Sequence, residues 1–163
     1  DSLDAPPVTP VTPVGASSPV PATRASDGPR ERPAVEDVEA AEAAYEEAQM
    51  AAALGQVADA ERLYRDAARS MAFRFRAAAA LARLLRGEER LADAIEWFER
   101  AGEAPAPDRE SGLALLYDLG DTLERHGEGM RAMAIFMELN AEAGDYRGVV
   151  ARIERLERAE IGG

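Results

Sequence analysis

The 163-residue sequence has no cysteine, one histidine and no lysine, so all 19 of its basic residues are arginine. Lacking thiols and holding a single imidazole, it offers no disulfide framework, Fe–S ligation, soft-metal site or thiol catalysis. Positive charge is also scarce, with 19 Arg against 31 Asp and Glu and a formal net charge of −12. A nucleic-acid binder needs a basic patch to displace counterions from phosphates, so this balance argues against one. No apolar run approaches the roughly 20 residues that a membrane span requires. The chain opens Asp1-Ser2-Leu3 with neither Met nor a signal-type segment, and so reads as a fragment or a processed product. Aromatics amount to only 6%, whereas alanine alone supplies 35 residues. Ala and Arg at the expense of Lys is the usage of a GC-rich genome, so a bacterial source is expected and part of the Arg excess is bias. The length suits one domain, or one domain with a tail.

Proline is unevenly spread. Eight of the ten prolines fall between Pro6 and Pro33, and the other two are Pro105 and Pro107. Proline fixes φ and removes an N–H donor, so residues 1–33 favour extended polyproline II and cannot join a helical core. As flexible coil this arm reaches roughly 30–35 Å, and as polyproline II about 100 Å. Its residues allow two readings, an inert spacer or a segment that docks along a partner. From Ala34 onward Ala, Glu, Leu and Arg dominate, with almost no β-branched or aromatic alternation. Residues 34–163 are therefore expected to be all-α.

That region repeats itself. Ala48, Ala51, Ala60, Tyr64 and Ala67 recur 34 residues later as Ala82, Leu85, Ala94, Phe98 and Ala101. A third copy, offset by 38, contains Leu116, Leu119, Gly120, Leu123, Gly127, Ala132, Phe136 and Leu139. The four extra residues fit in the Pro-containing stretch Gly102–Gly112. Gly120 and Ala132 let two helix backbones approach closely, Gly127 supplies a positive φ for the turn between them, and Phe136 fills the space beside the next unit. Gly55 makes the same turn in the first unit, while Gly87 lies two residues early in the second.

In this pattern the chain resembles the tetratricopeptide repeat (TPR) family over about residues 41–146. The resemblance implies a short right-handed superhelical solenoid of about three TPR-like helix pairs, units near 41–74, 75–108 and 113–146, preceded by the Pro-rich arm. It also departs from the family. The helix-ending proline is replaced by Ala72, Ala106 and Gly144, and without Gly or Pro between Asp59 and Leu85 the Ser70-Met71-Ala72 junction could run on as one long helix. A last helix over 145–158, capped by Asp145, would cover the open end with Tyr146, Val149, Val150, Ile153 and Leu156. Met130, Met133 and Met137 either seat that helix or grip a partner.

The resemblance implies a concave side lined by the first helix of each pair. One projected face carries Tyr45 and Gln49 from the first unit, Arg76, Arg83 and Arg86 from the second, and Tyr117 and Asp121 from the third. Guanidinium forks bind carboxylates bidentately and tyrosines add stacking area, which suits an acidic segment or a free C-terminus. The alternative is that these Arg only pair with Glu42, Asp121 and Glu124 on neighbouring helices. Some TPR domains clamp a C-terminal carboxylate with Lys and Asn at sites that hold Tyr45 and Gln49 here, so that clamp is not expected. Trp97, the only Trp, faces away from the Phe98 side, as packing for Pro105–Pro107 or as a partner hot spot on the convex side. His126 reads as a helix-end residue.

No nucleophile elbow, phosphate loop or metal motif appears, and no cofactor is expected. The expected function is a non-enzymatic protein–protein interaction module that works inside a hetero-complex, with a cytoplasmic setting favoured. The alternative is an accessory structural subunit of a large multi-protein assembly, membrane-bound or free, held by its arm and convex surface. The groove reading predicts that deleting residues 1–33 leaves partner capture unchanged in a pull-down from the native source. A subunit held by its arm would instead lose incorporation.

Overall fold

A computed structural model describes residues 33–163, and the expectation of an extended arm falls on residues outside these. The described residues form seven α-helices and no strand: α1 (Pro33–Ala53), α2 (Val57–Ala67), α3 (Arg74–Gly87), α4 (Leu91–Gly102), α5 (Arg109–Arg125), α6 (Gly129–Ala143) and α7 (Val149–Ile161). Pro33, assigned to the arm by composition, is the first residue of α1, a position where its missing N–H costs no intrahelical bond. Each helix packs on its neighbours in sequence, most extensively within the pairs α1–α2, α3–α4 and α5–α6. No helix among the described residues is long and apolar enough to cross a membrane.

The periodic positions form the core. Ala48, Ala60, Ala82, Ala94 and Ala132 have no accessible surface, nor do Phe98 and Phe136, and Tyr64 is buried beside them. Gly120 shows why small residues stand here, since a Cβ on it would lie 2.5 Å from Cε1 of the Phe136 ring. Phe136 fills the space that Gly120 leaves open, and apolar burial of this kind supplies most of the favourable free energy of folding.

The turns explain the departures from strict periodicity. Gly55 and Gly127 have positive φ as expected, and in the middle pair the positive φ falls on Glu89 at +59°, not on Gly87. Glu89 is 34 residues beyond Gly55, so the turn keeps its register and accepts a side chain that disfavours this conformation by about 1 kcal/mol. The Ser70-Met71-Ala72 junction does not continue as one helix. α2 ends at Ala67 and α3 begins at Arg74. Arg74 donates from Nε to the Ala68 carbonyl (3.4 Å) and from a terminal nitrogen to the Arg69 carbonyl (3.5 Å), while Phe73 and Phe75 are buried. A side-chain donor and two buried rings thus end the helix where no Gly or Pro does. The extra residues of the third unit lengthen helices more than loops. α5 begins eleven residues before Gly120, whereas α3 begins eight before Ala82.

α7 begins after a short 3-10 turn at Tyr146–Gly148. Asp145 accepts a hydrogen bond from the Val150 N–H at 3.0 Å. Val149 and Leu156 are buried against the core while Val150 is exposed. Met133 packs on the core, but Met130 and Met137 remain more than half exposed.

Gly120→Ala forces the added methyl into a ring that cannot retreat, so a loss of about 1–3 kcal/mol is expected in urea unfolding. Gly87→Ala meets nothing within 4 Å and should leave the urea midpoint unchanged or slightly raised.

Candidate partner-binding site

α1, α3 and α5 place side chains around one cleft of about 380 Å3, lined by Tyr45, Arg76, Ala79, Arg83, Ser111 and Ala114 among others. Tyr45 is held by ring contacts with Tyr64 (5.8 Å between centroids) and Phe73 (5.7 Å). Gln49, one turn further along α1, is exposed and approaches the Tyr45 hydroxyl at 3.5 Å. At the opposite wall Asp108 caps α5, accepting from the Ser111 N–H at 2.7 Å and the Ser111 hydroxyl at 2.9 Å. These two bonds, with the nearby charge of Arg76, hold the Asp108 carboxyl below its ordinary range.

Three of the four Arg of α3, Arg76, Arg83 and Arg86, differ in what they have left to offer. Arg83 donates through Nε to Asp118 at 2.7 Å, and Arg86 donates to the other oxygen of Asp118 at 3.1 Å and lies 3.6 Å from Asp121. Arg86 also stacks over Phe98 and belongs to the packing between α3 and α5. Arg83 bonds Asp118 through Nε alone and also lines the cleft, and Arg76 makes no ion pair with any described carboxylate. Of the pairings expected from sequence with Glu42, Asp121 and Glu124, only that of Arg86 with Asp121 forms among the described residues, and Asp118 is the principal partner.

Asp121 and Tyr117 turn toward the last helix. Arg152 of α7 donates to Asp121 (2.9 Å), Glu124 (2.6 Å) and the Tyr117 hydroxyl (3.2 Å), and its guanidinium lies 4.7 Å from the Phe136 ring centre. Alternating charges therefore run from Arg83 and Arg86 through Asp118 and Asp121 to Arg152, Glu124 and Arg155. Burial pushes the Glu124 carboxyl up, but hydrogen bonds from Arg155 and Arg152 outweigh it and leave the group below its ordinary value. For Arg152 burial acts downward, and the bonds to Asp121, Glu124 and Tyr117 raise it overall.

A further guanidinium, Arg147, enters the cleft from the 3-10 turn. It lies over the Tyr117 and Tyr146 rings and 3.6 Å from Glu110. Its φ of +50° and ψ of +33° place a non-glycine residue in the left-handed region, at a cost on the order of 1 kcal/mol. Asp118, Arg147 and Arg152 were not among the sequence candidates. Asp118 and Arg152 each sit about one sequence period from the groups they bind, a spacing that could have pointed to them. Nothing in the local sequence marks Arg147. Trp97 is not at this cleft: it stands on α4, beside Arg65 of α2 and Arg100. His126 ends α5 and its ring Nδ1 is 2.9 Å from Glu128.

No family model matches this chain, and no curated protein matches it either.

A carboxyl with a depressed folded pKa contributes stability at neutral pH and loses it as the pH falls from about 4.3 through the folded value. Glu124→Gln should therefore flatten the acid-side decline of stability, seen as a smaller drop in urea midpoint between neutral pH and about pH 3.

Proposed function

We propose that this chain is a non-enzymatic, TPR-like interaction module that presents the α1–α3–α5 face to a partner protein or peptide. In this reading the helix pairs stack as a short right-handed superhelical solenoid, the cleft faces its concave side, and α7 caps the end. The partner contributes an acidic segment or a free C-terminal carboxylate and belongs with this chain to a hetero-complex.

The observation that carries this reading is Arg76. Its guanidinium lines the cleft without an ion pair to any described carboxylate, although residues 34–163 carry 16 Arg against 27 acids. A guanidinium that makes no salt bridge among the described residues of so acidic a domain offers a bidentate seat for an incoming carboxylate. Arg83 and Arg147 stand beside it, while Tyr45 adds a rigid apolar wall. The serine hydroxyl of the cleft, Ser111, is committed to Asp108 as part of the helix cap, which favours binding over covalent chemistry.

A second reading, an accessory structural subunit whose groove stays empty, is favoured by Asp118, because that carboxylate already occupies Arg83 and Arg86. One substitution separates the two. Arg76→Glu removes no internal ion pair, so helicity by circular dichroism should be unchanged while partner capture weakens at least about tenfold. Unchanged capture would rule out the groove.

A further inference from the structure

The second helices enclose another cleft, of about 590 Å3, whose lining shares no residue with the first. Its walls are the end of α2, the α2–α3 turn, the first half of α3 and one face of α4, and small side chains at Ala68 and Ala78 leave room beside Trp97. The Trp97 ring is half-buried, flanked by Arg100 at 4.6 Å and Arg65 at 5.8 Å from its centre. Five Arg line this cleft against three acids, Asp93, Glu96 and Glu103. That is an excess of positive charge on a domain that is strongly negative as a whole.

The five guanidiniums fall into two groups. Arg65 pairs with Glu61, Arg90 with Glu61 and Asp93, and Arg100 with Glu96, so these three hold α2, α4 and the indole in place. The other two stand at the rim. Arg74 touches only the Ala68 and Arg69 carbonyls, both at 3.4 Å or more. Arg69 is 84% exposed and its nearest carboxylate, Asp66, is 3.8 Å away. Two guanidiniums with donors to spare thus line the same cleft as a tryptophan already flanked by two others. Trp and Arg are also the residues that most often dominate binding energy at protein interfaces.

We infer that the Trp97 cleft is a second docking site, which takes an acidic segment of a partner protein with its carboxylates on Arg69 and Arg74 and an apolar side chain against Trp97. The two clefts share α3 but no lining residue, so the chain can hold two acidic segments at once and bridge them. Two linked segments then bind more tightly together than either alone, through effective concentration.

Trp97 is the only tryptophan, so the full chain reports on this cleft by its own fluorescence. The probes are a short peptide of glutamates around one leucine, the same peptide with glutamine for glutamate, and inorganic phosphate. The expected result is a saturable change in Trp97 emission with the glutamate peptide only. It should weaken at least about tenfold in Arg69→Glu with Arg74→Glu and persist in Arg158→Glu. Arg69→Glu alone, at an exposed position remote from the core, should weaken it in the same direction if the double variant loses helicity. No saturable change, an equal response to the glutamine peptide, or binding unaltered by Arg69→Glu overturns the inference. So does reproduction of the signal by phosphate, which would mean a site for any anion, or emission that shifts with protein concentration alone, which would mean a second copy as occupant.

Discussion

The helices of each pair lie close together because the residues where they meet are too small to hold them apart. Ala48 with Ala60, Ala82 with Ala94, and Gly120 with Ala132 are all buried, and one aromatic ring per pair, Tyr64, Phe98 or Phe136, fills the space beside them. The fit is tight enough at Gly120 that a single methyl would collide with the Phe136 ring. Much else follows from this approach. With the core built mainly of alanines, leucines and a few rings, the long side chains of α3 and α5 are left at the edges of the packing. There Arg83, Arg86 and Asp118 can meet.

The ionic contacts perform a different task from the core. Arg90 joins the start of α4 to Glu61 of α2, Arg131 of α6 reaches Glu99 of α4, and Arg125 reaches Glu89. These pairs are largely solvated and each adds little stability. The more sheltered groups, Asp118 and Arg152, hold neighbouring helices in register and decide which guanidiniums remain for a partner. Arg86 is absorbed into this framework, Arg83 is half committed, and Arg76 is left to the cleft. In an acidic, lysine-free chain, the pattern of pairing matters more for recognition than the number of arginines.

The core was legible from sequence because backbone approach and aromatic filling require particular residue sizes at fixed intervals. The positions that recur every 34 or 38 residues are the ones buried in the helix pairs. Arg76 and Arg83 were also legible as residues of one helix face, since positions seven apart lie on the same side, and the TPR resemblance set Tyr45 beside them. The partners of those side chains were not. Asp118 lies on the flank of α5, outside the projected face, and only the angle between α3 and α5 brings it to Arg83. Arg147 depends on a left-handed residue in a 3-10 turn, and the Trp97 cleft on how far α2 stands from α4. Helix-to-helix geometry of this kind has no short-range signal. The end of α2 failed for a related reason, because Arg74 and two phenylalanines from the turn replace the expected proline.

The central claim is that a partner lies along the α1–α3–α5 face, and site-specific photo-crosslinking in the native source tests it most directly. A photoreactive side chain placed at Gln49 or Ala114, on that face, should give an adduct with the captured partner. One placed at Ala134, an exposed residue of α6, should give none. Adducts from position 134 alone, or from none of the three while the partner is still captured, would contradict the account.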